Sequence, residues 1–310
     1  MTPVAGTVIA LDVGGTHIKG VVVDGGRPVE SAQWPTRAER GPDAVLDTVL
    51  RCADDLRARA ARRGTPPRAA GIAVPGLVDE TSGTAVLAAN LGWRDLPLRS
   101  RAEEHLDLPV AFGHDVRAGA LAESRLGAGR GCASFVFVPV GTGIAAAPVL
   151  GGRVFAGSRG FAGELGHLVV RPGGDPCVCG NHGCVETLAS ASAIARRYRR
   201  ATGDAGASAE DVRARAVSGD RPAGRVWTEA VEALADGLAA LTVLLDPERL
   251  VIGGGLALAG EAYLAQLGTA LAERLPFRPA PPLVAAELGH RAGSLGAALL
   301  AEDLSAGGGR

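Results

Sequence analysis

The chain predicts an α/β protein of two similar lobes with a ligand cleft between them. Two observations carry this. Short apolar runs recur that each end in a glycine-rich turn, with helical stretches between them. The pattern occurs once in each half of a 310-residue chain. That length suits two domains better than one, and clefts between domains are preferred ligand sites. The expected small lobe covers residues 1–115 and is completed by a C-terminal helix over about 294–310. The expected large lobe covers 116–293.

The elements follow in order. Val8–Val13 is apolar and runs into Asp12-Val13-Gly14-Gly15-Thr16; Gly20–Asp24 resumes the pattern, so the pair reads as a β-hairpin with a glycine turn. Asp43–Arg63 carries Val45, Leu46, Val49, Leu50 and Leu56 at helical spacing. Ala69–Val74 is a buried-type strand closed by Pro75-Gly76. Leu106–Phe112 leads into Gly113-His114-Asp115, and Ala118–Leu126 reads as a helix. A second round begins with the strand Ser134–Val140, closed by Gly141-Thr142-Gly143. An irregular insertion follows, then helices over Ala189–Arg200 and Arg225–Leu245, with 201–224 read as a mobile helical loop. The strand Arg249–Ile252 ends in Gly253-Gly254-Gly255, and a last helix covers about Ser294–Glu302.

Composition narrows the function. Formal net charge is −1 and aromatics are 4%. No basic excess awaits nucleic-acid phosphates and few rings are present to stack on bases. No signal peptide is evident and no run of ~18 apolar residues suggests a membrane span. Five cysteines, odd in number and clustered, argue against a disulfide framework, so a reducing cytoplasm is expected.

The densest chemistry lies in Gly163–Glu186, GELGHLVVRPGGDPCVCGNHGCVE. His167 with Cys177, Cys179 and Cys184 makes a Cys₃His set suited to tetrahedral zinc; buried inert thiols are the alternative. The cysteines stand too close for easy internal disulfides. Glu164 and Glu186 flank the cluster, where a rigid metal knot would hold them still before a polar ligand. Cys52 and Cys132 read as packing residues, and His17, His105, His182 and His290 as surface or loop residues.

The glycine turns are the second signal. Gly14-Gly15 lets backbone N–H groups approach phosphate oxygens, Thr16 adds a hydroxyl, and Lys19, the only lysine, adds charge. Asp12 is a candidate for Mg²⁺. Gly141-Thr142-Gly143 is a second such turn, and Gly253–Gly255 permits a flat ligand to lie on the backbone. Each is also readable as an ordinary tight turn. Asp115, between strand and helix, reads either as a general base or as a helix N-cap.

Taken together and in order, these residues resemble the ROK family of bacterial sugar kinases, repressors and uncharacterised open reading frames. The match rests on Asp12-Val13-Gly14-Gly15-Thr16-His17-Ile18-Lys19, on Gly163-Glu164-Leu165-Gly166-His167, and on Cys177-x-Cys179-Gly180-x-x-Gly183-Cys184-x-Glu186. The resemblance implies an actin/hexokinase-like (ribonuclease H-like) fold and ATP-dependent phosphorylation of a hexose hydroxyl, glucokinase-like. It implies Asp115 as the base. It implies Glu164, His167, Glu186, Asn90, His114, Asp115 and the Gly76 backbone around the sugar. Gly14, Gly15, Thr16, Gly141, Thr142, Gly143, Gly254 and Gly255 would surround ATP, with Asp12 and Lys19 beside it and Mg²⁺ accompanying it. His167, Cys177, Cys179 and Cys184 would hold structural zinc in a loop over 167–184. A homodimer is expected, with no nucleic-acid or membrane partner.

Two departures stand out. The family's Asn-Asp-x-Asn is here His114-Asp115-Val116-Arg117; glucose stays the expected acceptor, and this departure motivates the alternative of another ring, an N-acetylated hexosamine, mannose, fructose or C7-cyclitol. Gly143 is followed by Ile144-Ala145-Ala146-Ala147, whose Cβ atoms are expected to crowd the second phosphate turn. The competing class, a sugar-responsive repressor, carries a helix-turn-helix before the first motif. Here that motif starts at residue 12, so the kinase is expected; a pseudokinase that binds sugar and signals is the third reading.

Overall fold

The computed structural model describes residues 6–307. The chain forms two compact units. One comprises the chain up to Arg125, Ala156–Phe161 and the chain from His290 on; the other comprises Leu126–Phe155 and Ala162–Gly289. The expected C-terminal segment reaches 310, and residues 308–310 lie outside the described residues.

The first unit opens with strands β1 (Thr7–Val13), β2 (His17–Asp24) and β3 (Arg27–Pro35). Helix α1 (Pro42–Arg62) and strand β4 (Pro67–Val74) follow. A small sheet of β5 (Leu77–Asp79), β6 (Thr84–Ala88) and β7 (Trp93–Leu96) precedes α2 (Leu98–Leu106), β8 (Val110–His114) and α3 (Asp115–Leu126). The second unit carries β9 (Phe135–Pro139), β10 (Ala147–Leu150), β11 (Arg153–Val154), α4 (Val185–Ala189), α5 (Ala191–Thr202), α6 (Ala209–Val217), α7 (Arg221–Leu245), β12 (Arg249–Gly253), α8 (Glu261–Glu273) and β13 (Leu283–Ala285). Helix α9 (Ala292–Ser305) returns to the first unit.

The two main sheets share one topology. The first has strand order β3-β2-β1-β4-β8 and the second β11-β10-β9-β12-β13. In each, three antiparallel strands are followed by two parallel ones. This is the ribonuclease H-like sheet, present twice.

Burial explains the strand patterns. In β1, Ile9, Leu11 and Val13 join the core shared with α1. Val8 and Ala10 face the other way and join Ala297, Ala298 and Ala301 of α9. A strand covered on both faces must be apolar at every position, which is why β1 reads as a continuous run. In the second unit, Val136, Val138 and Val140 pack with Leu234 and Leu238 of α7.

The structure differs from the sequence expectations in several places. Helix α3 begins at Asp115 itself. The expected helix over 189–200 starts at Ala191, because Ser190 is its N-cap and accepts from the Ala193 N–H at 3.1 Å. The stretch read as a mobile loop contains α6, held by a reciprocal capping box between Ser208 and Asp211, and α7 starts at Arg221. Strand β3 gave no signal because its residues are half-buried or exposed along an edge. Among the described residues no helix is long and apolar enough to cross a membrane.

Candidate active site

In the first unit the β1–β2 turn is braced from below. The Gly14 N–H donates to the His17 carbonyl at 2.9 Å, the Thr36 N–H to the Thr16 carbonyl at 2.9 Å, and the Thr36 hydroxyl to the Gly14 carbonyl at 2.6 Å. Thr36 is fully buried, and no motif marks it in the sequence. The side chain of Asn90, carried just past β6, lies against Gly15: a Cβ there would stand 3.1 Å from Asn90 Nδ2. Thus residues assigned separately to phosphate and sugar are neighbours.

Asp12 and Lys19 face each other across the β1–β2 register. The Asp12 carboxylate stands over Gly293 at the start of α9, where a Cβ would meet Oδ2 at 2.5 Å. Burial and then the charge of Asp115 raise Asp12 to about 7, against the opposing pull of Lys19. Two carboxylates in one neighbourhood, one of them held near neutrality, are what a cation or a phosphate-bound metal would relieve.

Asp115 heads α3. Its Oδ1 accepts the Val116 N–H at 2.7 Å and lies 3.4 Å from His114 Nδ1, which itself stands 3.2 Å from the same N–H. The cap reading of Asp115 does not hold: Asp115 is the first residue of α3, its oxygen accepts only from the next N–H, and His114 stands in the capping position. The Asp115 side chain stays partly exposed at 28%. Gly76 has φ 91°, and a Cβ there would meet the Leu87 carbonyl at 2.3 Å.

In the second unit two glycine turns lie side by side. Val140 N–H donates to Gly253 carbonyl and Leu256 N–H to Val140 carbonyl. The Gly141–Gly143 turn is fixed by Gly141 N–H to Gly143 carbonyl at 3.0 Å and by the Ser192 hydroxyl to Thr142 carbonyl at 2.7 Å. Glu186 Oε2 accepts the Ile144 N–H at 2.9 Å, so a residue assigned to the sugar also holds the phosphate turn. Of the residues that follow the turn, Ile144, Ala146 and Ala147 are buried and Ala145 is half-buried.

The run packs against Gly163-Glu164-Leu165-Gly166-His167. A Cβ on Gly163 would lie 1.9 Å from the Ala146 carbonyl oxygen, and one on Gly166 would lie 2.2 Å from that of Ile144. Both glycines are required by close backbone approach. They seat the short 3₁₀ turn Leu165–His167, and with it Glu164 and His167.

His167 Nδ1 is 3.5 Å from Cys177 Sγ, Cys179 Sγ is 3.7 Å from Cys184 Sγ, and the four ligand atoms all lie within 4.8 Å of one another. Ligands about 2.0–2.3 Å from a tetrahedral zinc stand roughly 3.5–3.8 Å apart, so the set fits. Burial and then the neighbouring thiols Cys179 and Cys177 push Cys184 up to about 12, and a bound cation is what would deprotonate such a group. His182 lies outside the set. His167 Nε2 is 3.8 Å from Glu164 Oε2; one ring nitrogen faces the cysteines and the other the carboxylate. The hairpin of the cysteines is locked by Gly183, whose φ of 73° and 1.6 Å clearance to the Arg171 carbonyl oxygen exclude a side chain.

The predicted residues divide by unit. Asp12, Gly14, Gly15, Thr16, Lys19, Gly76, Asn90, His114 and Asp115 belong to the first; Gly141, Thr142, Gly143, Glu164, His167, Glu186, Gly254, Gly255 and the cysteines belong to the second.

Comparison with known proteins identifies the family. The ROK family model matches residues 8–304. The chain belongs to the ROK family. It is 35% identical over 299 residues to an N-acetylmannosamine kinase of Escherichia coli, covering 96% of this chain and 98% of that one. A ROK hexokinase from Thermus thermophilus superposes with TM-score 0.85 at 38% identity, covering 98% of this chain and 100% of that one. A ROK family glucokinase from Streptomyces griseus in complex with glucose and AMPPNP superposes with TM-score 0.82 at 32% identity, over 96% and 100%. The doubled ribonuclease H-like sheet is therefore the actin/hexokinase-like fold.

Proposed function

We propose that this ATP-dependent sugar kinase transfers the γ-phosphoryl group of ATP to the primary hydroxyl of a hexose, with glucose as the first candidate and glucose 6-phosphate as product. The observation that carries the reading is the gathering of Glu164, His167 and Glu186 on one knot of backbone, with His167 Nε2 turned toward Glu164. Carboxylates and an imidazole held in this way accept and donate to adjacent ring hydroxyls, and reject analogues that lack them. Asp115 takes the proton of the attacking hydroxyl. Gly76, Asn90 and His114 complete the sugar contacts. The backbone of Gly14, Gly15, Thr16, Gly141, Thr142, Gly143, Gly254 and Gly255 cradles the nucleotide, with Asp12 and Lys19 serving its charged end. Mg²⁺ with ATP supplies charge neutralisation on the phosphates.

Zinc on His167, Cys177, Cys179 and Cys184 supplies rigidity, since four protein ligands fill a tetrahedral ion. A homodimer in the cytoplasm is part of the same proposal.

A second reading has its own support. His114 and Arg117 stand where the family has asparagines, and the E. coli relative at 35% identity is named for N-acetylmannosamine. The acceptor is then an N-acetylated hexosamine, mannose, fructose or a cyclitol. An ADP-release assay over glucose, mannose, fructose, N-acetylglucosamine, N-acetylmannosamine and cyclitols separates these. Highest kcat/KM for glucose supports the first reading, preference for another ring supports the second, and no sugar-dependent ADP release defeats both.

A further inference from the structure

We propose that Arg117, acting through Glu80, is a positioning residue for the phosphoryl transfer: it fixes the last peptide of β8, one residue ahead of Asp115, and, with the same guanidinium, the segment Ala156–Phe161, which precedes Glu164 in the chain. The inference rests on the reading of Asp115 as the base.

Arg117 sits in the first turn of α3, two residues after Asp115, and only 7% of its side chain is exposed. A buried guanidinium must be paired and hydrogen-bonded. Its Nε donates to Glu80 Oε1 at 2.9 Å, and its Nη1 donates to the Gly160 carbonyl at 3.0 Å. The same Glu80 oxygen accepts the His114 N–H at 3.1 Å. One carboxylate oxygen thus joins the last peptide of β8, one residue ahead of Asp115, to the first turn of α3, which Asp115 heads.

Glu80 is itself held. Asp79 Oδ1 accepts the N–H groups of Thr81 and Ser82 at 2.9 and 3.2 Å, and the Arg99 guanidinium donates to the carbonyls of Glu80 and Thr81. The turn after β5 is therefore a fixed anchor, and Arg117 is the strut between it and the strand–helix junction.

The other end of the strut matters equally. Ala156–Phe161 leaves the second unit's chain and clusters with the first. A Cβ on Gly160 would lie 3.2 Å from the Val78 carbonyl oxygen, so the segment rests closely on β5. Glu164 follows Gly160 by four residues. A guanidinium can bridge a carboxylate and a carbonyl in this way because its donors diverge in one plane; an ammonium is a single point donor. Misplacement of reacting groups by ~1 Å costs about 100-fold, which makes such a strut visible in turnover.

The test compares Arg117→Met, Arg117→Lys and Glu80→Gln with the parent, using the sugar chosen by the acceptor screen and a temperature at which circular dichroism shows every variant folded. Arg117→Met is expected to lower kcat about tenfold or more and to raise KM for the sugar, with KM for ATP within about twofold. Arg117→Lys, which keeps one contact, falls between. Glu80→Gln, which retains an acceptor oxygen but leaves the buried guanidinium without a counter-charge, is expected to lower kcat and raise the sugar KM in the same direction as Arg117→Met but by less. If Arg117→Met does not fold, Glu80→Ala at the more exposed end of the pair is expected to show the same split. A folded Arg117→Met, or a folded Glu80→Ala in its place, with parental kcat and sugar KM overturns the proposal, as does an equal rise in both Michaelis constants. Failure of the underlying reading looks different: Asp115→Asn then turns over normally, or the parent phosphorylates no sugar.

Discussion

Asp115 is the side chain on which turnover should depend most. Asp115→Asn keeps the Oδ1 acceptor for the Val116 N–H, so α3 should start normally and sugar should still bind. Loss of the base is expected to reduce kcat by ~10²–10⁴-fold. Calorimetry for sugar affinity and coupled ADP release for kcat check the two halves separately, and near-parental turnover removes Asp115 from the role. Asp12 makes a prediction about stability. Its carboxyl is raised from 3.8 to about 7, chiefly by burial and next by Asp115. The folded protein therefore holds a proton that the unfolded chain releases between those values. Stability must fall as pH rises through this window and stay low above it. Asp12→Asn removes the titration, so the ligand-free variant is expected to melt higher than the parent at pH 8 and no higher at pH 3.5. Parallel melting curves for the two proteins across that range would contradict the assignment.

Among the elements, the Cys/His hairpin shows best what a sequence reveals and what it hides. Spacing alone marked Cys177, Cys179, Cys184 and His167, because few uses other than a metal need thiols this close. It did not reveal that Gly163 and Gly166 are there to let the carbonyls of Ala146 and Ile144 approach. Those contacts join segments about twenty residues apart in the chain, and no local pattern encodes them. Edge strand β3 was missed and α6 was read only as part of a mobile helical loop for a related reason: one lacks an apolar face, and the other depends on a two-residue cap within a polar stretch. Thr36 and Glu80, which hold the turn and the strand–helix junction, carry no motif at all. The hairpin itself is testable. Cys179→Ser is expected to lose bound zinc and sugar affinity together, by elemental analysis and calorimetry; full sugar affinity in zinc-free protein breaks the link. Gly183→Ala must relieve both a positive φ and a Cβ placed only 1.6 Å from the Arg171 carbonyl oxygen, and should cost at least about 2 kcal/mol in chemical denaturation.

At the scale of the whole chain, the repeated sheet means that each unit has its own core. Ile9, Leu11 and Ile72 fill one, and Val136, Leu234 and Leu238 fill the other. The glycine-terminated apolar runs recur in each half, which is why the fold class was readable early, while the strand order comes only from the structure. The excursion of Ala156–Phe161 into the first unit was not, because its anchor is the carbonyl–guanidinium contact to Arg117. Separate cores make local stability a separable quantity. The proposed zinc lies wholly within the second unit, next to Arg171, which pairs with Asp236 of α7 at 2.6 Å. Chelation should therefore raise hydrogen exchange first in 163–190 and in the part of α7 around Asp236. Strands β1 and β4, whose apolar faces are covered by α1 and α9, should keep their protection. Exchange measured by mass spectrometry with and without a chelator reads both regions in one experiment. A uniform rise across β1, β4 and the Cys/His segment would mean that the two cores unfold as one cooperative unit, and that the metal stabilises the entire chain and not only the segment carrying Glu164, His167 and Glu186.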